Sequence, residues 1–552
     1  MDGFSNGAYI YSGAVTRELL SEALSAYRTY RADKESLTAR IRDDDRFYRE
    51  SCSGMSGALS SFMTCDTPFI FTAIENARAD AIDNYPTANI LERSPEGTKT
   101  AEVLSKIVPA QLEISEFKPA YKENIRRKLK YGTAVYGVFY NDRSGDIDIR
   151  SIDILDIYAD MHVSDVQDSA FLFIAAAVEN RLLREWYPEF AAIFTGDAEV
   201  ESISESYRLR DRSAVLDCYY KKADGSVHMM KICKDTLIAA TEDMEGYEHG
   251  LYEHGMYPVV FDVLYPAENC PFGYGMIDVG KATQTEINKL DEAITENIMC
   301  GAKPRYLSKR SGGIDEDEFR DVSKNIVHYE GDPEALKPID TVSLPEAYIS
   351  HRDRKKEELK EVLANRDFQQ GSTSGGVTAA SAIETLQQAG EKRSRALIND
   401  TYDSYKKIIY MIMELMRQFF EEKRVYRVSD EPGGDRFAEF SNEMMYVRDC
   451  RAGSGCGETA ADEPGRAGWR KLLFDIDVVP QRESPYTRET ANNTILTFWQ
   501  NGLFEPENAQ AAVIALKSMS FDGKERLIAD IRKHAEAAVA GQDEQNREED
   551  TE

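Results

Sequence analysis

The segment GMIDVGKAT (Gly275–Thr283) misses the phosphate-loop pattern G-x-x-x-x-G-K-[ST] by one residue. Such a loop cradles phosphates on backbone N–H groups, its lysine reaches the outer phosphates, and its hydroxyl helps hold Mg²⁺. Here Ala282 stands where the hydroxyl belongs, and ENCPFGY, with its proline, occupies the place where a strand should end. The segment therefore reads as the entry to a helix that carries Lys281, with nucleotide binding as the rival reading.

YEHGLYEHG (Tyr247–Gly255) repeats a Glu-His-Gly unit, so His249 and His254 could bind a metal with Glu248 and Glu253. Its glycines and the strand pattern beside it read rather as a turn-rich connection. His162, His228, His328, His351 and His534 are scattered, and no G-x-S-x-G or H-E-x-x-H element occurs. A hydrolytic site has little support, although carboxylate chemistry stays open. The eight cysteines form no CxxC pair, as expected of reduced thiols in a cytosolic product. We expect no cofactor and no metal.

Basic residues cluster in two places. HRDRKKEELK (His351–Lys360) contributes Arg352, Arg354, Lys355 and Lys356, and a nearby stretch contributes Lys303, Arg305, Lys309 and Arg310. They read either as a solvated helix face with i,i+4 pairs or as a positive band for phosphates or a partner. RRKLK (Arg126–Lys130) reads as an ordinary helix face.

The composition sets limits. With 42% hydrophobic and 30% charged residues over 552 positions, the chain is globular with ample core material. Its net charge of -30 repels nucleic acid and argues against tight binding by the whole chain. A surface past which DNA must slide tolerates that sign. No signal peptide is expected at MDGFSNGAYIYSG, and FLFIAAAV (Phe171–Val178) suits a buried strand.

Apolar spacing predicts helices over 14–50, Pro68–Tyr85, Gly97–Leu112 and Ser115–Tyr131, the last capped by Gly132. Residues 133–267 then read as strands, with a hairpin turning at Ala223-Asp224-Gly225 and a helical insert near Asn180–Phe194. Helices follow at Ile277–Cys300 and from Pro345 to about Arg366, around a small unit at 304–343. The first has its apolar face on Ile287, Leu290, Ile294 and Ile298. A helix of roughly 45 residues over about 378–423, with its apolar face on Ile383, Leu386, Gly390, Leu397, Thr401, Tyr405, Ile408, Ile412, Leu415 and Phe419, would be a rod of about 70 Å. Strands are expected at Val425–Val428 and Lys471–Val479, around a flexible loop at 451–468. Helices close the chain, before an acidic tail expected to be disordered. The class is α+β, mainly helical.

Directly before the long helix lies a segment with no charge: Gln369, Gln370, Gly371, Ser372, Thr373, Ser374, Gly375 and Gly376. Its glycines free the backbone, and its hydroxyls and amides offer neutral hydrogen bonds that break easily. It reads as a working loop or as a plain linker.

Helix, small insert, returning helix, uncharged loop and very long helix, in that order, resemble the portal (head-to-tail connector) proteins of tailed bacteriophages. KLKYGTAVYGVFYND, YPVVFDVLYP, YGMIDVGKATQTEINKLDEAITENI, GGVTAASAIETLQQAGEKRSR and FDIDVVPQRESPYTRETANNTILTFWQNGLF carry the likeness. No single motif is diagnostic; their order is fairly specific.

The resemblance implies a division into parts. The wing would comprise a helical part at 1–132, a β-rich part at 133–272, the long helix at 378–424 and strands at 425–482. Stem helices would lie at 273–300 and 345–368, flanking a clip at 301–344. A DNA-facing tunnel loop would lie at 369–377 and crown helices at 483–540, before the tail at 541–552.

It also implies a non-enzymatic ring of twelve subunits at one capsid vertex, assembled in the bacterial cytoplasm and carried in the virion. Double-stranded DNA would pass through it. Partners would be the terminase large subunit, the major capsid or scaffolding protein, and head-completion (adaptor) or tail proteins, with no membrane. Twelve helices about 10 Å wide enclose a bore of roughly 28 Å, which passes a duplex roughly 20 Å across. A nucleotide-binding motor or scaffold subunit built on 275–283 is the alternative.

Overall fold

The computed structural model describes residues 15–53, 68–200, 207–302, 306–308, 336–338, 346–363, 392–428, 437–448 and 469–482, apart from 245–246 and 248–249. The chain forms two units, residues 1–81 with 87–479, and residues 82–86 with 480–552. Helices and strands are mixed throughout the larger one.

The first helical stretch is two helices, α1 (Arg17–Asp33) and α2 (Glu35–Ser53), where one is expected. The interruption falls at Lys34, whose side chain is drawn inside. Its Nζ donates to the carbonyls of Leu155 (2.9 Å) and Ile157 (2.5 Å) and lies over the Tyr158 ring. Helix α3 (Phe69–Asp83) ends two residues before the expected Tyr85, and β1 (Asn84–Glu92) follows, a strand the helical spacing does not reveal. Helices α4 (Thr98–Ile114) and α5 (Phe117–Tyr131) stand where expected. Gly132 ends α5 at φ +86°, a left-handed conformation that favours glycine, with its N–H on the Lys128 carbonyl.

The β-rich region matches the sequence reading. Strands β2 (Thr133–Asn141) and β3 (Asp146–Ile152) pair antiparallel, and β11 (Val259–Val263) adds to β2 with Phe261 opposite Val135. A second sheet has the order β10-β9-β8-β5-β4. It comprises β4 (Ile157–Tyr158), β5 (Phe171–Glu179), β8 (Arg212–Lys221), β9 (Val227–Cys233) and β10 (Thr236–Ala240). The short pair β6 (Ala198–Val200) and β7 (Tyr207–Leu209) lies between β5 and β8 in sequence. At the predicted β8–β9 turn, Gly225 has φ +86° and the Asp224 carboxylate accepts from Ser226 N–H. The helical insert is shorter than expected: α6 (Asn180–Trp186), then a 3₁₀ turn at Pro188–Phe190.

One core cluster packs α1 on the five-stranded sheet, with Ala23, Tyr30, Phe173 and Met230 buried together. Burial of such side chains contributes about 1.5–3 kcal/mol each for the larger ones.

Strands β12 (Tyr265–Ala267) and β13 (Cys270–Tyr274) form a hairpin that runs straight into α7 (Met276–Ala302). Strands β14 (Tyr306–Ser308) and β15 (Leu336–Pro338) pair antiparallel, and a return helix runs Glu346–Val362. The described part of the long helix is Lys392–Phe419, about 42 Å at 1.5 Å per residue. Residues 378–391 lie outside the described residues. The helix stops at Phe419, short of the expected 423, and the next residue, Phe420, is buried with its ring edge-on to Phe440.

Thr401, Tyr405, Ile408, Ile412 and Leu415, five of the predicted apolar-face residues, are buried. The helix packs on β11 and β2. The remaining strands are β16 (Arg424–Arg427) with β17 (Phe437–Phe440), β18 (Tyr446–Arg448) with β19 (Trp469–Lys471), and β20 (Phe474–Arg482). The expected flexible loop at 451–468, the closing helices at 483–540 and the tail at 541–552 lie outside the described residues, isolated positions aside.

Candidate channel-wall helices and their anchor

A strand does end directly before Gly275, contrary to the sequence reading: β13 closes at Tyr274 and α7 opens at Met276. The helix opens with no intervening phosphate-cradling loop, and each conspicuous residue of the motif has a structural task. Gly275 lies where two backbones cross. A β-carbon there would meet the Lys130 carbonyl oxygen at 2.2 Å, and one on Gly132 would meet the Tyr274 carbonyl carbon at 2.3 Å. Gly280 lets α7 approach Ile70 and Leu363, whose side chains would stand 3.1–3.2 Å from a β-carbon.

Lys281 bonds Asp43 and, at 2.9 Å, Asp44, both on α2. Asp278 Oδ2 accepts from Gly275 N–H at 2.7 Å, which caps the new helix, and Arg40 lies 3.5 Å from its other oxygen. The α7 entry is thus an anchor that ties it to α2, α3 and α5. Burial, with the negative charge of Asp278 adding to it, lifts the Asp44 carboxyl to about 6 against the pull of Lys281.

Beyond the anchor, α7 runs beside the return helix and the two exchange charges. Arg352 Nε donates to Asp291 at 2.6 Å, with a longer contact of 3.4 Å from its second nitrogen. Lys355 reaches Glu286 at 3.2 Å, and His351 stands 3.4 Å from the same carboxylate. Lys355 and His351 hold Glu286 below the usual carboxylate range, and Asp291 raises Arg352 above its own. Along the return helix, Lys355–Glu358 and Lys360–Glu357 are i,i+3 pairs. Lys356 lies over the Phe69 ring.

The basic run is therefore largely a pairing face toward α7. Arg354 is exposed and, among the described residues, has no ion pair. Lys303, Arg305, Lys309 and Arg310 lie outside the described residues, as do Gln369, Gln370, Gly371, Ser372, Thr373, Ser374, Gly375 and Gly376. The predicted apolar face of α7 is buried at Ile287 but open at Ile298, where Met299, Tyr348 and Ile349 are exposed as well.

Sequence reading missed the deepest polar contact. RRKLK is no ordinary helix face: Lys128 and Lys130 are both buried. Lys128 Nζ donates to Asp262 Oδ1 on β11 and to Thr401 Oγ1 on the long helix, at 2.6 and 2.8 Å. Lys130 Nζ donates to Asp45 at 2.7 Å. The signal was present, because Tyr121, Asn124, Ile125 and Lys128 recur at helical spacing on the buried face of α5.

His254 is half-buried against Tyr252, and its Nδ1 accepts from Met256 N–H at 3.0 Å. Burial pushes its pKa down to about 4. Glu248 and His249 lie outside the described residues. Among the described residues no group of three His, Cys, Asp or Glu side chains could hold a metal ion. No described helix is long and apolar enough to cross a membrane.

No curated protein matches the chain. The family model described as phage P22-like portal protein matches residues 225–552, a span that takes in the β9 strand, α7, the return helix and the long helix. That match covers more than half of the sequence, and by it the chain belongs to the phage P22-like portal protein family.

Proposed function

We propose that the chain assembles as a ring, of twelve copies, at one capsid vertex, and that double-stranded DNA enters and leaves through its centre. The observation that carries this reading is the family match over 225–552. The paired rods α7 and Glu346–Val362, rooted by the Gly132–Gly275 crossing, support it as a rigid wall element. In this reading those two helices line the bore, and residues 301–344 dock the terminase large subunit and later the head-completion or tail proteins. Gln369 to Gly376 form an uncharged collar that touches moving DNA. Helices in 483–540 face the capsid interior, with its major capsid or scaffolding protein.

A wall whose cations are mostly neutralised by carboxylates suits a conduit, since each unpaired cation adds a phosphate contact that must be broken as DNA advances. Arg354 is one described basic candidate free to make one. The chain itself performs no catalysis in this reading.

Negative-stain images of the purified protein test it: end-on rings with a central hole are expected, and compact monomers overturn it. Replacing Gly375 and Gly376 with proline should leave ring assembly intact and impair DNA filling or retention. Normal filling removes the collar from the account.

A further inference from the structure

A cavity of about 290 Å³ lies between the β2–β3 face and the β5–β8–β9 face, bounded also by Tyr247, Leu251 and Tyr252 and by Phe419 at the end of the long helix. Its size is near the lower end of ligand pockets, roughly 300–1,000 Å³. Aromatic rings dominate the wall: Phe139, Tyr140, Tyr219, Tyr247, Tyr252 and Phe419. Tyr140 stacks on Phe419 with centroids 4.0 Å apart and planes 5° from parallel, and Tyr252 meets Phe419 edge-on.

Among the described lining residues the charges are unequal, with four carboxylates against two cations. Both cations are already engaged. Lys231 is paired with Asp217, both nearly closed from solvent, and Arg150 is paired with Asp148. Asp153 lies 3.5 Å from Arg127. Asp142, at the rim, has neither a hydrogen bond nor an ion pair among the described residues, and partial burial alone lifts its carboxyl above the usual range. An unpaired carboxylate beside π-faces is the arrangement that recognises an organic ammonium, because the ring quadrupole and the carboxylate both attract it. An anionic ligand would meet the excess negative charge, with no cation among the described lining residues free to receive it.

We propose that this cavity binds a small aliphatic amine, its ammonium against Asp142 at the rim and its alkyl chain along the aromatic wall. The aromatic lining sets it apart from a metal site. The ligand would bridge the β2–β3 sheet, the five-stranded sheet and Phe419, so its binding should stabilise the larger unit.

The test is calorimetric titration of the full-length protein with butane-1,4-diamine, against sodium chloride of matched ionic strength, MgCl₂ and sodium butanoate. Saturable binding of the diamine alone is expected, weakened about tenfold or more in Asp142→Asn and about as much in Tyr247→Ala. Asp142 is at the rim, so Asp142→Asn should keep the wild-type melting temperature and circular dichroism. An equal response to MgCl₂ or sodium chloride would assign general screening and overturn the proposal. So would diamine binding unchanged in a folded Asp142→Asn protein, or no diamine binding at all. None of these readouts depends on ring formation or DNA passage, so a failure here leaves the portal reading standing.

Discussion

Lys128 Nζ stands 2.6 Å from Asp262 Oδ1, with the two side chains 0% and 1% exposed. The pair joins α5 to β11, and Thr401 and Ser404 bring the long helix to the same carboxylate and ammonium. Three elements from distant parts of the sequence are registered on one buried charge pair. Removing one partner strands the other charge in a low-dielectric interior, whereas replacing both with apolar groups of similar volume removes the burden together.

Lys128→Met should therefore destabilise the fold by about 3–5 kcal/mol. Lys128→Met combined with Asp262→Leu should recover most of that loss. Denaturant midpoints at fixed protein concentration measure both, and a double variant as weak as the single one would refute the assignment.

Gly132→Ala and Gly275→Ala should each cost clearly more than Gly225→Ala. All the alanine at 225 faces is an unfavourable φ of +86°, worth about 1–2 kcal/mol, with no atom within 4 Å of its β-carbon. At 132 the same φ is joined by a collision with Tyr274 backbone, and at 275 the collision is with the Lys130 carbonyl. Overpacking of this kind adds about 1–3 kcal/mol. The order of the three melting temperatures checks it.

The Asp44 carboxyl is lifted to about 6 from an ordinary 3.8. The folded chain thus holds a proton that the unfolded chain releases, and this group's contribution to stability falls as pH rises from about 4 through 6. Asp44→Asn removes that term, so its melting temperature relative to wild type should climb across the window. His254, lowered to about 4 by burial, acts oppositely: it opposes folding as pH drops from about 6.5 toward 4. Relative to wild type, His254→Gln should gain stability as pH falls. Parallel pH profiles for either variant and wild type would contradict the assignment.

Arg352 and Arg354 should separate structure from contact. Arg352→Ala removes the bond to Asp291 and should lower stability by about 1.5–3 kcal/mol. Arg354→Ala should change stability by less than about 0.5 kcal/mol. It should nevertheless reduce the salt dependence of DNA retention in assembled rings. Equal effects of the two variants on retention would remove Arg354 from the DNA path.

Sequence alone determined the elements whose period is set locally. Gly132 as the stop of α5, the Asp224-Gly225 turn, the strands of 133–267 and the buried stripe of the long helix all follow from side chains within a few residues of one another. The order helix, small insert, returning helix, uncharged loop and long helix was enough to point to the portal family. What only the tertiary structure decided is which polar residues meet. Lys281 reads as a lysine at a helix entry, with phosphate binding as the rival, until α2 brings Asp43 and Asp44 beside it. The run at 351–360 reads either as a solvated helix face with its own pairs or as a positive band until α7 supplies Glu286 and Asp291. Lys128 reads as surface until β11 closes over it. The physical reason is common to all three. Helical and strand periods are short-range properties of the backbone, whereas the partner of a charge is chosen by chain segments tens to hundreds of residues away.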